Sequence, residues 1–208
     1  MQLIFEENYI IIFSALLFLI SYLVGSIPFG LILTNLWGYG DIRKVGSGNI
    51  GATNALRTGN KLLALLVLLL DSLKGYVIIK IFIFSNYTKN LDSLIFLLLF
   101  GCVLGHCYPI WLKFRGGKGI ATTLGCLIAL NFSIGVLICF CWLIVCLIFK
   151  KSSLASLLSI SCLPFITFIY FGPYELIFSI LLMTMIYLRH KDNIVRILKS
   201  EEPSVFSK

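Results

Sequence analysis

From Tyr9 to Leu36 the chain carries no Asp, Glu, Lys or Arg, and that single run excludes most soluble folds. A helix rises about 1.5 Å per residue and a bilayer core of roughly 30 Å takes about 20 apolar residues, so the run is long enough to cross a membrane. It is too long and too internal for a cleaved leader. Two acids, Glu6 and Glu7, precede it where a leader would carry cations, and no small-residue cleavage site follows. The run therefore reads as a retained anchor. Similar runs occupy 62–84, 92–110, 154–171 and 174–190. The stretch 119–149 exceeds one comfortable span, and Asn131, Ser133 and Gly135 interrupt it. Dividing it into 119–130 and 133–149 gives seven transmembrane helices. With 59% hydrophobic and 12% charged residues over 208 positions, the expectation is an all-α, polytopic integral membrane protein, one domain over 1–208. The seven cysteines lie almost entirely in apolar runs and include no Cys-x-x-Cys pair. They read as small buried hydrophobes, with no disulfide framework or zinc site indicated.

Basic residues accumulate on cytoplasmic loops, and they test the division at Asn131. With the N-terminus outside, the inside segments hold Arg43, Lys44, Arg57 and Lys61, then Lys113, Arg115 and Lys118, then Lys150 and Lys151. The tail adds Arg189, Lys191, Arg196, Lys199 and Lys208, which puts the C-terminus in the cytoplasm. Of the remaining cations Lys74 and Lys80 fall within spans, so Lys89 alone is outside. A single span over 119–149 would separate Lys150 and Lys151 from the tail. The net charge of +8 is thus a signal of topology and of attraction to anionic headgroups; no nucleic-acid partner follows from it.

The polar residues concentrate in the same inside segments. DIRKVGSGNIGATNALRTGNK, residues 41–61, combines glycines 46, 48, 51 and 59 with Arg43, Ser47, Asn49, Asn54 and Arg57. Glycines let backbone N–H groups approach an anion, and Ser, Asn and Arg add directed donors. A solvated connection is the alternative; the loop's length and scarcity of acid count against it. GHCYPIWLKFRGGKG, residues 105–119, has a Gly116, Gly117, Lys118, Gly119 turn at the head of an apolar helix. It is not a nucleotide-hydrolase loop, because Leu112 and Gly119 stand where that motif needs Gly and Ser or Thr. The turn still offers N–H groups and a helix dipole to an anion, with Lys118 as a point charge and Arg115 as a fork. In RHKDNIVRILKSEEP, residues 189–203, Arg189, His190, Asn193 and Arg196 share a helix face. Asp71 and Lys74, three apart inside a span, read as an ion pair facing the bundle or as support for the polar site. GSIPFG, residues 25–30, should kink or end the first span at Pro28. Three inside segments brought to one face thus read as a site for phosphate-bearing molecules.

GSIPFG, the 41–61 run, LDSLKGY, GHCYPIWLKFRGGKGIATTLG and RHKDNIVRI, in this order, resemble the bacterial membrane acyl-phosphate:glycerol-3-phosphate acyltransferase family, PlsY. The resemblance covers about residues 21–203. It implies transfer of a fatty acyl group from acyl phosphate to the 1-hydroxyl of sn-glycerol 3-phosphate, giving lysophosphatidic acid and phosphate, the first acylation of phospholipid biosynthesis. The family's first motif falls on Ser47, Asn49, Asn54 and Arg57, its phosphate loop on His106, Pro109 and Gly116 to Gly119 with Lys118, and its third on His190, Asn193 and Glu202. The family usually has Gly two residues before that acid, and this chain has Ser200.

The candidate catalytic residues are therefore Ser47, Arg57, Lys118, His190 and Asn193. Arg43, Gly46, Gly48, Asn49, Asn54, His106, Arg115, Gly116, Gly117, Gly119 and Glu202 are the candidate substrate contacts. Acyl phosphate is already activated, so no cofactor, metal or covalent nucleophile is implied. The enzyme has to hold two anions, align a hydroxyl with a carbonyl and stabilise charge as phosphate departs. The Gly116–Gly119 amides and Lys118 are assigned to acyl phosphate, and Ser47, Arg57, Arg43, Asn193 and His190 to glycerol 3-phosphate. His190 or a substrate phosphate takes the proton. The acyl-CoA-type signature His-x4-Asp is absent, since Trp111 and Val195 follow the two histidines at that spacing. Membrane lipids and the enzyme that makes acyl phosphate are the implied partners, and the cytoplasmic side of the bacterial inner membrane is the implied location. The competing readings are a transporter for a phosphorylated solute and a noncatalytic lipid-binding subunit. No internal repeat is evident and the polar residues gather on one face, which counts against the transporter.

Overall fold

The structure is a computed structural model and describes residues 2–85 and 92–205, with side chains from Ile10 onward except that of Asp92. Lys89, Lys208 and the side chains of Glu6 and Glu7 lie outside the described residues. All regular elements among the described residues are helical. Five stretches are long and apolar enough to cross a membrane: Ile10–Leu36, Lys61–Phe84, Ser93–Leu112, Phe132–Phe149 and Ser152–Tyr170.

Helix breaks fall where the local chemistry demands them. Helix α1 (Gln2–Gly25) stops short of Pro28, and α2 (Phe29–Leu36) begins directly after it. The interruption frees the carbonyls of Ser26 and Ile27. Trp111 Nε1 donates to the first at 2.8 Å and Lys74 Nζ to the second at 2.9 Å, so the break is closed by groups from elsewhere in the bundle. A loop carrying the short helix α3 (Ala52–Leu56) leads to α4 (Lys61–Phe84), whose first turn is capped by Asn60 accepting from the Leu63 N–H at 3.0 Å.

After α5 (Asp92–Cys107) come α6 (Ile120–Leu130) and α7 (Phe132–Phe149), divided at Asn131. The Asn131 side chain accepts from the Ile134 N–H at 3.1 Å, starting a second helix where one long apolar run would otherwise continue. The span expected over 154–171 is found as Ser152–Tyr170 and is made of two helices, α8 (Ser152–Ser161) and α9 (Leu163–Tyr170), because Pro164 has no N–H to continue the ladder. Helices α10 (Pro173–Arg189) and α11 (Lys191–Leu198) complete the chain.

Two close helix pairs organise the bundle, α1 with α5 and α4 with α6. A Cβ at Gly25 would fall on the Cys102 carbonyl, and one at Gly125 on the Ser72 carbonyl. Small residues let backbones meet where hydrocarbon offers no hydrophobic driving force. Leu98, Leu99, Val103, Leu127, Leu182 and Ile186 fill the interior. Ile11 and Ile12 of α1, Phe140 and Leu147 of α7, and Phe165 and Phe168 of α9 face outward, a surface suited to lipid. Polar segments are left at the ends of α2, α5, α7 and α10, and the site is built from these.

Candidate active site

One buried side chain organises the 41–61 loop. Asn54 is 1% exposed. Its Oδ1 accepts from the Ser47 N–H at 3.0 Å, and its Nδ2 faces the carbonyls of Ile42, Val45 and Asn49 at 3.0, 3.0 and 2.7 Å. The backbone can wrap this amide because Gly46 takes φ +56°. A Cβ there would meet Asn54 Oδ1 and the Arg57 side chain, so the glycine also lets the guanidinium lie along the loop. Arg43 is turned elsewhere: its Nη2 lies 2.7 Å from Asp41 Oδ2, and hydrogen bonding to Arg43 holds that carboxyl down at about 2.

The glycine turn after α5 is held from a distance. The Gly116 N–H donates to the Cys107 carbonyl at 3.1 Å and the Gly117 N–H to the His106 carbonyl at 3.0 Å. Arg189, at the end of α10, donates through Nη2 to the Gly116 carbonyl at 2.6 Å and through Nε to the Gly117 carbonyl at 3.0 Å. Its guanidinium also lies over the Tyr108 ring, 5.1 Å from the centroid. The expectation that the Gly116 and Gly117 amides face an anion is therefore corrected, because both N–H groups are already committed to carbonyls of α5. These residues shape the turn. What remains to face a ligand is Lys118, Gly119 and the opening turn of α6, whose leading N–H groups have no carbonyl one turn back. Gly119 enters that turn with φ +86°.

Behind the turn lies a buried ionic cluster. Lys74 Nζ stands 2.8 Å from Asp71 Oδ1 and 2.9 Å from His106 Nδ1, in addition to its bond to Ile27. Asp71 and Lys74 are 2% and 5% exposed. The pair recognised in the sequence is thus a three-residue network reaching His106 at the end of α5, and both charges are compensated.

The tail closes the other side. Lys118 Nζ donates to Asn193 Oδ1, and Asn193 Nδ2 donates to Glu202 Oε1 at 2.6 Å. Ser153 Oγ donates to the same carboxylate oxygen at 2.6 Å, and Arg196 Nε to Glu202 Oε2 at 2.8 Å. Burial works to raise the Glu202 carboxyl, but these three hydrogen bonds outweigh it and hold the group below its usual range. Burial lowers the Lys118 ammonium to about 8, opposed by Glu202 and reinforced by Arg196, Arg189 and Arg57. Ser200 turns the chain toward Glu202 with φ +61°, the left-handed region that glycine enters without strain. That conformation explains why a glycine is expected at this position.

These parts enclose one cavity of about 790 Å³. Gly46, Ser47, Asn49, Asn54, Arg57, His106, Lys118, Gly119, His190, Asn193 and Glu202 line it. Of the other sequence candidates, Arg43, Gly48 and Arg115 do not line it, and Gly116 and Gly117 stand behind it. Sequence reasoning did not single out Ser153, or Arg189 as the clamp on the glycine turn. Arg196 was on the recognised helix face, which is the signal that marks it. The cavity continues past Leu65 and Leu68 of α4 and Leu143 of α7, apolar side chains that are themselves exposed. Among the described residues no three His, Cys, Asp or Glu side chains converge as a metal ion would require.

The sequence model of the family described as glycerol-3-phosphate acyltransferase matches residues 15–200. The chain belongs to this family. A glycerol-3-phosphate acyltransferase of Wolbachia pipientis subsp. Culex pipiens (strain wPip) is 48% identical over 197 residues, covering 94% of this chain and 97% of that protein. One from Jannaschia sp. (strain CCS1) is 46% identical over 187 residues, 90% of each. In three dimensions the chain is similar to the crystal structure of PlsY, an integral membrane glycerol 3-phosphate acyltransferase, in its glycerol 3-phosphate form. The TM-score is 0.85 at 35% identity, covering 92% of this chain and 94% of that one. The lysophosphatidic acid form of PlsY gives 0.81. The glycine turn, the Asn54 loop and the tail of this acyltransferase-family chain all fall within or beside the matched region.

Proposed function

We propose that the protein transfers a fatty acyl group from acyl phosphate to the 1-hydroxyl of sn-glycerol 3-phosphate. The observation that carries this reading is a cavity lined both by cations from separate loops, Arg57 and Lys118, and by the apolar side chains of Leu65, Leu68 and Leu143. Such a cavity suits a small dianion and an amphipathic anion together. Lys118 and the first turn of α6 hold the phosphate of the donor, whose acyl chain runs along Leu65, Leu68 and Leu143 between α4 and α7. Arg57 and Ser47 hold the phosphate of the acceptor, with Asn193 and His190 beside its hydroxyl.

The hydroxyl oxygen attacks the acyl carbonyl carbon, the bond from that carbon to the phosphate oxygen breaks, and the hydroxyl proton ends on the released phosphate. No acyl-enzyme is needed, because the leaving group is already good. The protein contributes proximity and fixed positive charge where negative charge builds on the carbonyl and leaving oxygens.

The reading extends to topology. Passages through α1 with α2, α4, α5, α6, α7, α8 with α9, and α10 make seven spans, folded as one domain over the whole chain. The N-terminus is then outside, and every site-bearing segment is on the cytoplasmic side of the bacterial inner membrane. The basic residues of those segments support this orientation. Because acyl phosphate is a labile anhydride, its supply is coupled to the enzyme that makes it.

The test is phosphate release by the purified protein given glycerol 3-phosphate with palmitoyl phosphate, palmitoyl-CoA or palmitoylated carrier protein in parallel. Phosphate and lysophosphatidic acid formed from acyl phosphate alone are expected. Failure with every donor, by folded protein, overturns acyl transfer, and vectorial uptake by sealed vesicles would then favour transport.

A further inference from the structure

The chain has two histidines, and both line the cavity while being nearly buried, His106 at 5% and His190 at 2% exposure. Their ring nitrogens meet opposite kinds of partner. His190 Nδ1 is 2.8 Å from the Ile186 carbonyl oxygen. A carbonyl only accepts, so Nδ1 carries the hydrogen and Nε2 keeps its lone pair. His106 Nδ1 is 2.9 Å from Lys74 Nζ. That ammonium has three hydrogens and three acceptors around it: the Ile27 carbonyl, Asp71 Oδ1 and this nitrogen. Asp71 Oδ1 itself is 3.5 Å from Nδ1, beyond the ordinary N–H···O length and farther than the ammonium at 2.9 Å. Nδ1 of His106 therefore accepts, and its hydrogen sits on Nε2.

That Nε2 makes no hydrogen bond with the described residues. It lies against Gly117, where a Cβ would fall on it. The glycine thus leaves the nitrogen uncovered beside Lys118.

We infer that the two histidines are locked in opposite tautomers, His106 as an Nε2–H donor and His190 as an Nε2 acceptor, with Lys74 and Asp71 as positioning residues that set the first. On the acyl-transfer reading, on which this part rests, His106 donates to an oxygen of acyl phosphate at the Gly117–Lys118 turn. His190 accepts from the hydroxyl of glycerol 3-phosphate and turns its oxygen toward the carbonyl. Two neutral imidazoles then do opposite work without either changing charge before substrate arrives. An exchange of tautomers would point a lone pair at an anion and a hydrogen at a hydroxyl hydrogen, so the Lys74 contact protects the site against that loss.

The test uses the full-length protein in detergent micelles, labelled with ¹⁵N at histidine, with long-range ¹H–¹⁵N correlations reading which ring nitrogen bears hydrogen. Single variants His106→Asn and His190→Asn assign the two rings. The expected wild-type spectrum has one ring protonated at Nε2, His106, and one at Nδ1, His190. Lys74→Met should alter the His106 pattern alone and lower kcat about 10- to 100-fold, the scale of losing a partner that orients an imidazole, with KM for glycerol 3-phosphate unchanged. Both rings in the same tautomer would overturn the inference, as would a Lys74→Met protein whose His106 pattern stays in place. If Lys74→Met does not fold, the wild-type spectrum still decides the tautomers. The spectra need no turnover, so failure of this inference and failure of the acyl-transfer reading are read separately.

Discussion

The two glycine-rich loops facing the cavity are held by opposite means. The 41–61 loop is tied from within: every partner of the Asn54 side chain lies no more than 12 positions away. The Gly116–Gly119 turn has local bonds too, from its N–H groups to Cys107 and His106, but it is also tied from outside, by Arg189 from more than 70 positions along the chain and by the Lys74 network behind His106. The first draws its side-chain hydrogen bonds from its own residues, and its Ile42 and Ile50 pack against α2 and α4. The second needs α4, α5 and α10 already packed, so the glycine turn reports on the whole bundle.

The largest effect should come from the cation that the glycine turn presents to the cavity, Lys118. Lys118→Ala should lower kcat with acyl phosphate on the order of 100-fold or more, in a protein whose thermal unfolding is little changed. Wild-type kinetics would remove Lys118 from the site. The same ammonium sets a pH dependence, since it is lowered to about 8. Below that pH the cation is present and kcat/KM for acyl phosphate should be level; above it the cation is lost and kcat/KM should fall about tenfold per pH unit. A bound phosphate favours the charged form, so the fall in kcat should lie at higher pH than the fall in kcat/KM.

The next pair of variants separates the loops directly. Arg189→Ala should raise KM for acyl phosphate about tenfold and leave KM for glycerol 3-phosphate near its starting value; Asn54→Ala should do the reverse. Asn54→Ala should also destabilise the protein, since it strands the Ser47 N–H and up to three carbonyls at about 1–3 kcal/mol for each buried group left unpaired. Equal changes in both KM values for either variant would break the division between the loops. Arg57→Lys keeps the charge but loses the planar fork, and should raise KM for glycerol 3-phosphate several-fold to about tenfold. An unchanged KM would move that contact to another residue.

The smallest effect belongs to the tail. Ser200→Gly relieves a left-handed residue and should raise thermal stability by under about 1 kcal/mol with turnover unchanged, read by melting in detergent. A decrease would mean that the Ser200 side chain has a task beyond its φ.

Much of this molecule was legible in one dimension. Asn131 and Pro28 end helices through their own hydrogen-bonding chemistry, and the apolar runs meet a length set by the bilayer, so span candidates and breaks need only neighbours to be recognised. The glycines at 46 and 119, the basic segments and the 189–196 helix face likewise announce themselves locally. The break between α8 and α9 was missed although Pro164 marks it, because hydropathy stays high across the junction and masks the lost N–H.

Pairings between distant segments were decided only by packing. Nothing near Gly116 or Gly117 in the chain specifies that Arg189 takes their carbonyls, nor that their own N–H groups turn back to α5 instead of toward a ligand. Likewise Ser153 meets Glu202, and Lys74 meets His106, only after the helices have docked. Local sequence determined which residues could bend, cap or carry charge, because those properties depend on a few adjacent dihedrals and side chains. The tertiary structure decided which donor met which acceptor, because that depends on distances between helices that no short stretch of chain encodes.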